Sequence, residues 1–252
     1  MSISRNKINT YLDNLLRISE VFDYSCNGLQ CEGVEEVKKI GLAVDACMKV
    51  YEQAKKKNCE MVIVHHGFIW GGIKSISGPV YKQVKFLIQN GINLYAAHLP
   101  LDMNEECGNN IQLAKMIKLS KVVPFGKYEG VSIGFSGELK KAETADVIAN
   151  IFQKKLGGKS LILPFGKKKN KSVAIVSGGA SKTLNEAIEK NIDCLITGES
   201  SHQDHYAALE GKINVIYLGH YHSEQLGVKA VGEKLKKKFG VKIEYLDEPT
   251  VV

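Results

Sequence analysis

Three apolar runs in this sequence end in histidine. Met61-Val62-Ile63-Val64 leads into His65-His66-Gly67. Leu94-Tyr95-Ala96-Ala97 leads into His98 and then Asp102, and Val215-Ile216-Tyr217-Leu218 into His220, His222 and Glu224. Imidazole and carboxylate together, without cysteine, are donor chemistry for a divalent cation. The C-terminal ends of strands are also where open α/β sheets place their ligands. His65 and His66 carry the most weight. Adjacent residues on a strand face opposite sides, so both reach one place only where the strand breaks, and Gly67 permits such a break. Two diverging donors suit two ions better than one. Asp102 reaches the same place because Leu99-Pro100-Leu101 leaves the strand, where Pro100 stops ladder pairing. On a helix start, His220 and Glu224 share a face at i, i+4 spacing. The expected ligands are therefore His65, His66, Asp102, His220 and Glu224. Five protein ligands leave positions for water or substrate, the mark of a catalytic site rather than a structural one. The chemistry implied is hydrolysis assisted by a pair of divalent ions, for which zinc, iron, manganese and nickel all qualify. His98 and His222 are candidates for orienting a ligand or carrying a proton, or are simply structural.

The elements that must position these residues alternate between strand and helix. Strands are expected at 39–44, 61–64 and 92–97, with helices at 48–57, 80–89 and 109–117. Gly91 suits the position just past a helix end. After 121 the texture changes, with an alternating strand at 131–139, an amphipathic helix at 144–155 and a strand at 160–163. The first pattern then returns: strands at 171–177, 194–197, 213–218 and 241–246, and helices at 184–190, 205–209 and 223–239. This succession predicts an α/β fold of two related lobes, 1–125 and 126–252, with mostly parallel sheets flanked by helices. The last helix and strand would close a metal site in the cleft between the lobes. The halves also echo each other. The segment from Ile40 to Gly67 matches that from Val173 in its order of strand, small-residue loop, helix, Asn and Cys, and Ile92–Asp102 matches Ile213–Glu224 with one residue inserted. A duplicated α/β half explains the echo, and so does the shared vocabulary of βαβ units. Two loops stand out. Ser177-Gly178-Gly179-Ala180-Ser181, between a strand and a helix, is a tight turn or a weak phosphate cradle. Phe68 to Pro79 is an ordinary surface loop or a mobile cover, whose Phe68 or Trp70 packs on substrate or on a neighbouring chain.

Bulk composition narrows the class. With 252 residues, 44% hydrophobic and 24% charged, the chain is an ordinary globular protein with room for two cores. No apolar stretch approaches membrane-span length, and Met1–Thr10 has no signal-peptide core, so a cytoplasmic location is expected. The six cysteines form no C-x-x-C pair and read as reduced and mostly buried. The net charge is +7, and all but two (Arg5, Arg17) of the 34 basic residues are lysines. Lysine lacks the planar fork that reads base edges, so any DNA or RNA contact would be to phosphate and indifferent to sequence.

Five segments carry a family resemblance: "DYSCNGLQCEG" from Asp23, "VIVHHGFIWGG" from Val62, "YAAHLPLDMNEECGNNIQLA" from Tyr95, "DCLITGE" from Asp193 and "LGHYHSEQLGV" from Leu218. With these the chain resembles the Nif-three-like family, also called GTP cyclohydrolase type-two homologs, in its short form without an inserted domain. The resemblance implies two related α/β lobes with a dinuclear site between them and a homohexameric ring. The family's metal ligands fall on His65, His66, Asp102, His220 and Glu224. The "SSHQDHYAALEG" segment does not align, which leaves His202 and His205 without a role. Three functions follow: a dinuclear metal-dependent hydrolase of a small or nucleotide-like substrate, a lysine-lined ring binding nucleic acid without sequence preference, or a metal-binding scaffold without turnover.

Overall fold

A computed structural model describes residues 2–250; residues 1, 251 and 252, where the expected lobes begin and end, lie outside them. The chain divides into two compact units, Met1–Cys107 with Gly227–Glu248, and Gly108–Leu226 with Pro249–Val252.

The first unit opens with β1 (Ile3–Ser4), α1 (Arg5–Leu16), β2 (Gly28–Cys31) and β3 (Glu36–Val37). Then follow β4 (Lys39–Asp45), α2 (Met48–Lys56), β5 (Met61–His66), α3 (Gly78–Gln89), β6 (Asn93–Ala96) and α4 (Leu99–Met103). The second unit holds α5 (Asn109–Met116), β7 (Ser120–Tyr128), β8 (Val131–Glu143), α6 (Ala145–Leu156), β9 (Leu161–Pro164) and β10 (Asn170–Val176). It continues with α7 (Leu184–Glu189), β11 (Cys194–Thr197), α8 (His202–Gly211) and β12 (Asn214–Tyr217). Helix α9 (His220–Phe239) carries the chain out of the second unit, and β13 (Lys242–Tyr245) joins the first.

In the first unit five strands form one sheet in the order β13-β4-β5-β6-β2. The four strands from β13 to β6 are parallel, and β2 is antiparallel at the edge. Alternation along the strands builds a core on each face. Ile40, Leu42, Met61 and Ile63 pack with Ile8, Leu12 and Leu16 of α1 and with Val228, Val231 and Leu235 of α9. Ala43, Val62 and Val64 pack with Val50, Tyr51 and Ala54 of α2 and Leu87 of α3. Helix α1 is a new element relative to the sequence expectation. Its signal was present in Ile8, Tyr11, Leu12 and Leu15, which recur at helical spacing amid polar residues.

The second unit carries six strands in the order β7-β8-β10-β11-β12-β9. Only β10-β11 and β11-β12 are parallel; β7-β8, β8-β10 and β12-β9 are antiparallel. The sheets are thus mixed, and the mostly parallel character holds for the first unit only. The cause is local. Glu129 and Gly130 both take positive φ (46° and 86°), the geometry of a tight hairpin turn, which forces β8 to run back along β7. Unit boundaries also differ from the expected 125/126 division. The chain leaves the first unit at 107 and returns at 227, because β13 pairs with β4 rather than with a strand of the second unit.

The internal echo has a structural counterpart. Each unit contains a parallel triplet, β4-β5-β6 in one and β10-β11-β12 in the other. The third strand of each triplet opens on a buried asparagine that acts as a latch. Asn93 accepts from the Gly33 amide (2.7 Å) and donates to the carbonyls of Val34 and Glu60. Asn214 accepts from the Gly166 amide (2.8 Å) and donates to the Lys167 carbonyl and to Asn170 Oδ1. Six free cysteines are present, four of them buried, as expected of small apolar side chains.

Candidate metal centre

In the first unit the histidines gather at the C-terminal end of the sheet. β5 does not break before them: it runs through His66. Its pairing to β6 ends at Val64↔Ala96, while pairing to β4 reaches Asp45↔His66. Held on one side only, the strand end lets both rings turn together, and their centroids lie 4.5 Å apart. The His98 ring completes the group at 5.2 Å from His65 and 5.5 Å from His66. His65, His66 and His98 offer nitrogens that all lie within 4.8 Å of one another, close enough to hold a cation. Asp102, on the short helix α4 that Pro100 helps to start, is buried with Oδ2 3.5 Å from His65 Nε2.

Each ring is fixed through the same nitrogen. His65 Nδ1 lies 2.9 Å from the Ala97 carbonyl, which can only accept, so Nδ1 donates. His66 Nδ1 donates to Asp45 Oδ1 at 2.8 Å. His98 Nδ1 donates to the Asp23 carboxylate at 3.1 Å. A ring that carries its single proton on Nδ1 presents its lone pair on Nε2, the arrangement that metal-ligating histidines adopt. Asp23 is anchored in turn by the amides of Ser25 and Leu99 and the side chain of Asn27. Burial works against its charge, but His98 and these donors outweigh it and lower its pKa to about 2. Trp70 closes the flank. Its indole N–H donates to the Gly67 carbonyl (2.9 Å), and its ring stands edge-on to His98 at 5.0 Å. The 68–79 loop is therefore tied down at Trp70, by this bond and by bridge pairing with Ser25, although Trp70 stays 38% exposed.

The second unit repeats the device. His220, the first residue of α9, donates from Nδ1 to Glu199 Oε1 at 2.6 Å, and its Nε2 lies 3.1 Å from Glu224 Oε2 one helical turn on. Burial opposes a charge on His220, yet Glu224 and then Glu199 outweigh it and raise its pKa to about 9. An imidazolium held between two carboxylates marks a place where positive charge is wanted, which suits a cation in exchange for the Nε2 proton. Gly178 passes close by: a Cβ there would sit 2.3 Å from Glu224 Oε1. The Ser177–Ser181 loop is a packed turn. The Ser177 amide donates to Asn110 and the Gly178 amide to Ser223 Oγ, so these N–H groups serve the protein itself. His222 takes no part in the donor groups found among the described residues. Its ring lies against Gly158, and Nδ1 accepts from Gln225. Three carboxylates escaped the sequence reading: Asp23, Asp45 and Glu199. Asp45 ends β4 and Glu199 follows β11, so the strand-end rule that singled out the histidines could have found them.

A sequence profile for the DUF34/NIF3 (NGG1p interacting factor 3) proteins matches residues 3–250. The chain belongs to the DUF34/NIF3 family. Within this family it is 47% identical to the GTP cyclohydrolase 1 type 2 homolog of Pyrococcus horikoshii over 98% of its own length and 99% of the relative's. The homolog from Archaeoglobus fulgidus is 46% identical, covering 95% and 96%. Solved structures superpose over nearly the whole chain. A Thermus thermophilus protein has 36% identity and a TM-score of 0.91, covering 99% of this chain and all of that one. HcgD of Methanocaldococcus jannaschii in its reduced form has 25% identity and a TM-score of 0.87, covering 98% and 99%. Among the described residues no helix is long and apolar enough to cross a membrane.

Proposed function

We propose that the protein is a metal-dependent hydrolase of a small or nucleotide-like substrate, with His65, His66, Asp102, His220 and Glu224 as the ligands of two divalent ions. The observation that carries this reading is the uniform anchoring of the rings: His65, His66 and His220 each donate from Nδ1 to a carbonyl or carboxylate. Rings fixed in this way present Nε2 as a ligand without a search among rotamers. Asp102 and Glu224 add negative oxygen donors beside His65 and His220. Nitrogen and carboxylate donors without thiolate suit zinc, iron, manganese or nickel. A bound ion pair supplies Lewis acidity, lowering the pKa of water and stabilising a developing oxyanion. His98, paired with Asp23 and beside the other two rings, is placed to hold a proton or a ligand position. The name borne by the relatives makes GTP one substrate to try.

Metal content of the purified chain, measured by mass spectrometry, tests the site. Two equivalents are expected, with a sharp fall in His65→Ala and in Asp102→Ala at unchanged fold. Hydrolysis of a panel that includes GTP and simple phosphate esters should stop on chelation and return with added metal. Full metal content in both variants would overturn the ligand set, and turnover that ignores chelation would overturn the hydrolase reading.

A further inference from the structure

Two adjoining hollows, of about 380 and 450 Å³, lie in the second unit and share Leu161, Ser200 and Tyr217. They form one groove with two chemically distinct ends. The inner end is bordered by Lys159, Glu199 and the side-chain-free Gly198 and Gly219. Here Glu199 is already engaged with His220 (2.6 Å), whereas Lys159 makes no ion pair among the described residues. This end therefore pairs an exposed, uncompensated lysine ammonium with a carboxylate already engaged by an imidazole, and Gly219 at its border directly precedes His220 in the chain. The outer end is bordered by Leu163, His202, His205 and Tyr206. Helix α8 presents His202, His205 and Tyr206 at i, i+3 and i+4, so they share one face. The helix start is already satisfied by the reciprocal Ser201–Asp204 cap, leaving the two imidazoles to the groove. His205 stands edge-on to Phe165 and to Tyr206, at 5.0 and 5.3 Å. Tyr206 and Leu161 are 59% and 52% exposed, a large apolar surface for two neighbouring side chains.

We propose that this groove is the substrate-binding arm of the site and takes a nucleotide-like phosphate ester. The flat ring rests among His202, His205 and Tyr206, and the phosphate pairs with the Lys159 ammonium at the other end. Aromatic and imidazole faces accept any planar ring, while an ammonium recognises phosphate as a point charge. Only the step after binding, hydrolysis beside His220, rests on the hydrolase reading.

The test uses the full chain after chelation, so that binding is read apart from metal. AMP, adenosine and inorganic phosphate are titrated by calorimetry or by ligand-observed NMR. AMP is expected to bind at least tenfold more tightly than either fragment. Lys159→Ala should weaken AMP about tenfold and leave adenosine unchanged. His205→Ala combined with Tyr206→Ala should weaken AMP and adenosine together. All these residues are exposed, so the variants should fold and keep wild-type metal content when metal is restored. AMP binding no tighter than that of adenosine, or AMP affinity unmoved in both variants, would overturn the proposal. Retained AMP binding in a protein that takes up no metal would support the groove while overturning the hydrolase reading.

Discussion

At the scale of single residues, the carboxylates behind the histidines matter as much as the histidines. Asp45 and Glu199 each accept a proton-bearing Nδ1, fixing the tautomer and the ring of His66 and His220. Removing such a support commonly costs 10- to 100-fold in metal affinity. Asp45→Ala and Glu199→Ala should each lower metal affinity by about that factor in a chelator competition, with little change in melting temperature of the metal-free chain. Affinity equal to wild type in both would show that the rings need no support. Asp23 acts on stability as well. Its pKa is about 2 in the fold against an ordinary value of 3.8, so the folded state prefers the ionised form. That preference is fully present above about pH 4 and is lost as pH falls through about 2. Its size is about 2 kcal/mol, and the side chain is only 3% exposed. The stability gap between wild type and Asp23→Asn should therefore shrink by about that amount between pH 5 and pH 2 in denaturant titrations. A gap independent of pH would contradict the assignment.

At the scale of elements, close strand approach in the second unit depends on Gly134. A Cβ at this position of β8 would lie 2.2 Å from the Ile175 carbonyl oxygen in β10, and backbone cannot move aside as a side chain tip can. Gly134→Ala should cost about 2–3 kcal/mol through forced strand separation. A fall of several degrees in thermal unfolding is expected, and an unchanged midpoint would contradict it. Gly72, by contrast, has φ +96° with nothing within 4 Å of a built Cβ, so only backbone strain opposes substitution there. The pairing choices made by β13, β7 and β9 are also events at this scale. They convert two related parallel triplets into one largely parallel sheet and one mixed sheet.

At the scale of the whole molecule, the first unit leaves a band of large apolar side chains in water. Phe22, Tyr24, Ile73 and Ile76 are 81%, 66%, 49% and 57% exposed. They belong to two adjoining segments, since the Gly71 amide donates to the Tyr24 carbonyl. Apolar surface of this kind is a common mark of an interface. We propose that it supports the ring implied by the family resemblance. Light scattering should then give about six times the 27.8 kDa chain mass. Phe22→Asp with Ile76→Asp should shift that mass toward smaller species. A wild-type monomer would rule out the ring, and an unmoved hexamer in the double variant would move the interface elsewhere.

The sequence by itself determined the candidate donor histidines and the local frame that carries them. His65, His66, His98 and His220 were legible as candidates because residue identity is local and because short apolar runs mark strand ends. Helices such as Ala145–Leu156 were legible because 3.6-residue periodicity is written along a single element. Helix Arg5–Leu16 was equally local in its signal and was passed over for its polar residues. Only the tertiary structure decided which partner completes each histidine. Asp23 lies 75 residues from His98, while Asp45 and Glu199 each lie 21 residues from the ring they hold. It likewise decided the return of the chain to the first unit at 227 and the place of His202 and His205 on one face of α8. The physical reason is that periodicity encodes which face of an element is apolar, whereas the choice of neighbour depends on the free energy of packing and strand pairing across the whole unit.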